Sequence, residues 1–97
     1  YKGNIKVGRN VQIAPRCAFY PYDHGISRAK SMMKQSILSK GDIVVKDEAW
    51  LGYGVIILDL VTIGVGAVVG AGSVVKDDIP DFAISAGMPA KVIKMRE

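Results

Sequence analysis

Every sixth residue from Val45 onward is aliphatic: Val45, Leu51, Ile57, Ile63, Val69 and Val75. The residue four places after each is small or aliphatic, at Ala49, Val55, Val61, Ala67, Ser73 and Ile79. Glycine directly follows the aliphatic position at Gly52, Gly64 and Gly70. A period of six matches neither the turn of an α-helix nor the two-residue alternation of an ordinary strand. It fits a solenoid in which each hexad supplies a short strand and a turn. The aliphatic residue points inward, the small one fits beside the corner, and glycine at the turn accepts backbone that a side chain would disfavour. Stacked coils then share one apolar interior and satisfy each other's backbone groups.

The same phase appears earlier, with Val7 and Ile13 in the aliphatic place and Ile5, Val11 and Cys17 in the partner place. Between Phe19 and about Ser39 the pattern fails. That gap reads as an excursion loop at about 20–40, and a long structureless insertion in a compact repeat is usually functional. At 97 residues the chain is one small domain, 1–97, with a short tail at 87–97. A core of that size commonly needs subunit association. The chain starts with Tyr1, already inside the pattern, so preceding residues are expected.

Composition removes several classes. A hydrophobic content of 49% and a mean hydropathy of +0.24 exclude disorder. The longest uncharged stretch, from Leu60 to Val75, is too short and glycine-interrupted to span a bilayer. No export signal opens the sequence, and the single cysteine excludes an internal disulfide framework, so a cytoplasmic setting is expected. The charge of +4 suits an anionic ligand, but an aromatic content of 7% without clustered arginine argues against nucleic acid.

The runs AWLGYGVIIL, VTIGVGAVVGAGSVVKDDIP and AGMPAKVIK resemble the hexapeptide-repeat acyltransferases, and most closely their sugar and antibiotic O-acetyltransferase branch. The resemblance implies a left-handed parallel β-helix with three hexads per triangular coil. Residues 45–62 and 63–80 then form two coils, and the N-terminal part roughly one more. The left hand comes from the resemblance alone, because the general rule for parallel crossovers favours the right hand. It also implies acetyl-CoA as acyl donor, no metal, a small acceptor such as a sugar, and a homotrimer with sites between subunits.

His24 is the only histidine, so imidazole chemistry rests on it. Transfer to a hydroxyl needs a base that works near neutral pH, and the family places its catalytic histidine in a loop interrupting the coils at this point. The neighbouring Asp23 is a candidate to orient the imidazole; a plain turn aspartate, with a backbone carbonyl doing the orienting, is the alternative. Trp50, the only tryptophan, stands outside the inward register, which marks a wall against a ligand or a neighbouring subunit. The family's corresponding tryptophan lies beside the transfer site, which makes the N–H groups of Gly52 and Tyr53 candidates to steady the thioester oxygen.

For the cofactor, the resemblance carries over Ala71 in the GAGS turn and Lys91 as a phosphate contact, with Lys94 and Arg96 adding to the field. Lys76 stands where many relatives have Thr before a Lys. Met88 replaces the usual Asn of Gly-Asn-Pro-Ala-Lys without moving Lys91. Cys17 falls in the inward register and reads as a packed thiol rather than a nucleophile. Tyr20, Tyr22, Arg28 and Lys30 are candidate acceptor contacts.

Three other readings remain open. A non-catalytic solenoid explains the repeats without using His24, Trp50 or Lys91. An amine acceptor would use the same base. The related γ-type carbonic anhydrases bind zinc through three histidines drawn from two subunits, which one histidine per chain does not supply.

Overall fold

The hexads fold as strands of two or three residues joined by tight corners. The structure, a computed structural model, describes residues 4–21, 23–24, 37–38 and 41–97. Among them every regular element is a strand. The first coil is β1 (Ile5–Val7), β2 (Gln12–Ile13) and β3 (Ala18–Tyr20). An antiparallel ribbon, β4 (Asp23–His24) and β5 (Ile37–Leu38), interrupts the stack. The second coil is β6 (Ile43–Val45), β7 (Trp50–Leu51) and β8 (Ile56–Leu58), and the third is β9 (Thr62–Ile63), β10 (Val68–Val69) and β11 (Val74–Val75). A shorter turn follows through Ile79, which bridges Ile63, into β12 (Ala83–Ala86) and β13 (Lys91–Met95).

Like strands stack on like. The first face is β1-β6-β9, the second β2-β7-β10-β12-β13, and the third β3-β8-β11. All of these pairs are parallel except β12 with β13. Inward residues form columns: Val7, Val45, Ile63 and Ile79; Ile13, Leu51, Val69 and Ser85; Phe19, Ile57 and Val75. From Val45 through Val75 every sixth residue is at most 1% exposed, and the partner set from Ala49 to Ile79 is buried as well. Val7 and Ile13 hold the same register but sit in the end coil of the described stack, where they are 49% and 42% exposed.

The corners correct one expectation. Gly52, Gly64 and Gly70 are not where the backbone turns left-handed. That place falls three residues after the inward aliphatic residue in most hexads, at Asn10, Arg16, Glu48, Gly54, Leu60, Gly66, Gly72 and Phe82, with φ between 56° and 74°. Gly64 is required by close approach instead, since a Cβ there would lie 2.6 Å from the Pro80 carbonyl carbon. The tight fit lets Asp81 Oδ1 accept the Val65 N–H at 2.8 Å, as Asp47 Oδ1 accepts the Arg9 N–H at 2.8 Å one coil earlier.

Two further segments differ from the sequence reading. The excursion, expected to lack structure, leaves and returns through the β4–β5 ribbon, and strands of two residues leave no periodic trace. The tail at 87–97 contains β13, which runs back along β12 with a register shift at Ile84/Ser85.

Two substitutions test this packing. Gly64→Ala is expected to destabilise by about 1–3 kcal/mol through overpacking against backbone, read from urea unfolding. Ser85 is fully buried in an inward column, and its Oγ has no hydrogen-bond partner among the described residues. Ser85→Ala is therefore expected to stabilise by about 1 kcal/mol, because an unmatched polar atom leaves the core.

Candidate functional site

The predicted cofactor contacts gather mainly on one edge of the prism, between the second and third faces. Gly52 and Tyr53 turn this corner in the second coil, and the Gly54 N–H donates to the Pro15 carbonyl at 3.0 Å in the coil before. Ala71 turns it in the third coil, where the Gly72 N–H donates to the Tyr53 carbonyl at 2.8 Å. Lys91, the first residue of β13, pairs with Ala86 on the same edge and is exposed. Trp50 stands next to this edge on the second face, outward between Gln12 and Val68 and 53% exposed.

The Gly52 N–H already donates to the Val69 carbonyl at 2.9 Å, as the parallel ladder requires. Of the two candidate oxyanion donors, only Tyr53 remains. Lys76 is not on this edge: it follows β11, at the far end of the third face, and pairs with Asp77 at 3.0 Å. Cys17 donates its thiol to the Gly52 carbonyl at 3.2 Å and is half-buried, as a packing thiol would be.

Asp23 and His24 form β4, with His24 opposite Ile37. The ribbon leaves directly after β3, whose last residue, Tyr20, pairs with Leu58, and the chain rejoins the stack at Asp42–Ile43. The histidine segment thus departs from the edge between the third and first faces, a full face away from Tyr53 and Ala71. Tyr20 is 43% exposed there; Tyr22, Arg28 and Lys30 lie outside the described residues. No group of three His, Cys, Asp or Glu side chains among the described residues is placed to hold a metal ion.

Three polar residues, Asn10, Gln12 and Glu48, escaped the sequence reading, and Arg96, expected to add to the phosphate field, joins them and donates to the Gly66 carbonyl. Asn10, Gln12, Glu48 and Arg96 surround the other side of Trp50 in a groove of about 260 Å³. They occupy corner and outward positions, on which the period of six places no demand, and Arg96 reaches the groove only because β13 folds back.

No protein-family model matches the chain. A galactoside acetyltransferase solved in complex with coenzyme A superposes with a TM-score of 0.88 at 33% identity, over 96% of this chain and 46% of that one. In sequence and fold the chain is similar to the hexapeptide-repeat acyltransferases. Its coil is accordingly the left-handed parallel β-helix. An N-acyltransferase from Bacillus cereus, solved with dTDP-4-amino-4,6-dideoxyglucose and coenzyme A, gives a TM-score of 0.85 at 28% identity over 96% of this chain and 52% of that one. A probable acetyltransferase of Mycobacterium tuberculosis is 34% identical over 94 residues, 97% of this chain and 31% of the relative. The chain thus spans between 31% and 56% of the length of these curated relatives. No helix among the described residues is long and apolar enough to cross a membrane.

Where the excursion rejoins the stack, Asp42 ties the second coil to the first. Its carboxyl is held below the usual carboxylate range, first by the hydrogen bond from the Lys6 ammonium and then by that from the Asn4 N–H. Lys6 Nζ lies 3.1 Å from Oδ2. A lowered folded-state pKa means that folding favours the ionised form. The contribution is complete above the unfolded value of about 3.9 and is lost as pH falls through the folded one. The stability difference between the parent protein and Asp42→Asn is therefore expected to shrink as pH drops below about 4, and to shrink with added salt at neutral pH, both read by urea unfolding.

Proposed function

We propose that this chain carries the transfer site of an acetyl-CoA-dependent O-acetyltransferase that acts on a hydroxyl of a sugar or related small molecule. The observation that carries the reading is the common edge on which Tyr53, Ala71 and Lys91 stack beside an exposed tryptophan, in a chain similar to coenzyme A-bound acyltransferases. That edge fits the donor, with backbone groups and little side-chain bulk at Gly52 and Ala71 and a cation at Lys91.

Acetyl-CoA supplies the acyl group as a thioester with a stable leaving thiolate. His24 would take the proton from the acceptor hydroxyl as its oxygen attacks the carbonyl carbon, and then return that proton to the departing sulfur. The Tyr53 N–H would face the oxygen on which negative charge develops. Transfer is direct, with no acyl-enzyme, which agrees with Cys17 serving as a packing residue. Asp23 is the candidate to orient the imidazole.

The two edges explain why a single chain is insufficient. His24 leaves the prism at one edge and the donor residues stand on another, so the reading takes the site as shared in a homotrimer, with His24 of one subunit serving the donor edge of the next. Lys76, remote from Tyr53 within its own chain, also belongs to this shared arrangement or to none. A cytoplasmic setting, where acetyl-CoA is available, accompanies the proposal. Similarity to the Bacillus cereus enzyme favours one second reading, acylation of an amino sugar by the same base.

Calorimetry with acetyl-CoA, followed by thiol release with a panel of sugars and amino sugars, tests the assignment. His24→Ala is expected to bind acetyl-CoA as the parent does and to lose about 10²–10⁴-fold in thiol release. Absence of binding by both proteins, from a folded trimer, would favour a non-catalytic solenoid.

A further inference from the structure

The groove on the second face is left unused by the donor edge. Tyr53 and Ala71 lie toward one end of β7, whereas Asn10 and Glu48 turn the corner at the other end, so Trp50 separates the two. Its lining has a distinct chemistry. One carboxylate, Glu48, and one guanidinium, Arg96, cancel in formal charge. The amides of Asn10 and Gln12 both donate and accept. Trp50 and Val68 supply an apolar wall.

The groove is also held in shape. Asn10 Nδ2 donates to Glu48 Oε1 at 3.1 Å, which fixes one carboxylate oxygen. Arg96 Nη1 donates to the Gly66 carbonyl at 2.7 Å, and the Arg96 N–H donates to the Phe82 carbonyl at 2.7 Å. Gly66 matters for space, since a Cβ there would come within 3.3 Å of Arg96 Nη1 and 2.8 Å of the Phe82 ring. The coil below carries Glu48 at this corner and the first coil Asn10, so the column Asn10, Glu48, Gly66 gives two polar side chains and then an opening for the arginine.

An anionic ligand would call for surplus positive charge, and an acyl chain for a fully apolar lining. A flat ring with an apolar face and hydroxyls around its rim meets an indole beside mixed donors and acceptors. The volume of about 260 Å³ limits the occupant to about one ring, at the small end of ligand pockets. We propose that this groove seats a neutral pyranose ring of the acceptor against Trp50, with ring hydroxyls on Gln12, Glu48 and Arg96. This rests on the acyl-transfer reading and adds where the acceptor is recognised.

Trp50 is the only tryptophan, so intrinsic fluorescence reports on the groove. The full protein is titrated with glucose, galactose and N-acetylglucosamine, and with galacturonate as an anionic control. The same titrations are made on Gln12→Leu and Glu48→Gln, with acetyl-CoA binding measured by calorimetry on all three proteins. Both positions are exposed, and far-ultraviolet circular dichroism checks that the coil is intact. The expected result is a saturable emission change with a neutral sugar, a Kd raised at least tenfold in both variants, and unchanged acetyl-CoA affinity.

Emission unmoved by every neutral sugar, while acetyl-CoA binds, overturns the inference and leaves the transferase reading intact. Variants that bind sugar like the parent, or a stronger response to galacturonate, overturn it too. A neutral-sugar response lost in the variants, in a protein that does not bind acetyl-CoA, supports the groove as a sugar site and removes the transferase reading instead.

Discussion

Val7, Val45, Ile63 and Ile79 stand in one column because each coil donates its backbone hydrogen bonds to the next in parallel register. That vertical register governs the rest of the molecule. It allows an interior of small and aliphatic side chains with no helix among the described residues to cover them, and it fixes which corner residues lie above one another. It also makes glycine obligatory where a carbonyl or carboxylate from the adjacent coil presses in, as Pro80 and Asp81 do over Gly64. The edge proposed for the donor is a by-product of the same stacking. Tyr53 and Ala71 meet because one lies above the other in successive coils, where the Gly72 N–H donates to the Tyr53 carbonyl.

The interior was legible in the sequence because burial acts on every sixth residue alike. The aliphatic and small positions read from Val45 to Ile79 are the ones the structure buries. The glycines were legible in place but not in reason: Gly52, Gly64 and Gly70 relieve crowding between coils, while the left-handed turn falls on residues as unlike as Glu48, Leu60 and Gly72. A corner conformation imposed by the fold accepts many side chains at about 1 kcal/mol each, so composition does not reveal it.

The site was legible only where it coincides with a recognisable run. Trp50, Ala71 and Lys91 sit in such runs, and the structure brings them to neighbouring positions. Gly52 was a reasonable donor until the parallel ladder claimed its N–H for Val69. Lys76, which stands where many relatives have Thr before a Lys, was also a cofactor candidate, but a strand of the third face stands between it and the others. Arg96 was expected to add to the phosphate field, and the structure puts it elsewhere. Only the reversal of β13 carries it onto the second face beside Trp50.

The antiparallel return of β13 along β12 has a consequence for solubility. A stack of parallel coils ends in strand edges whose free amides and carbonyls invite another chain to continue the ladder. On the second face that growth would have to proceed from β12, and β13 already occupies its edge in the opposite direction, with a register shift and with Lys91, Lys94 and Arg96 along its length or just beyond it. An incoming coil meets a strand of the wrong polarity that carries like charges. The segment that places Lys91 on the edge between the second and third faces and Arg96 in the groove therefore also blunts this face against fibre-like extension.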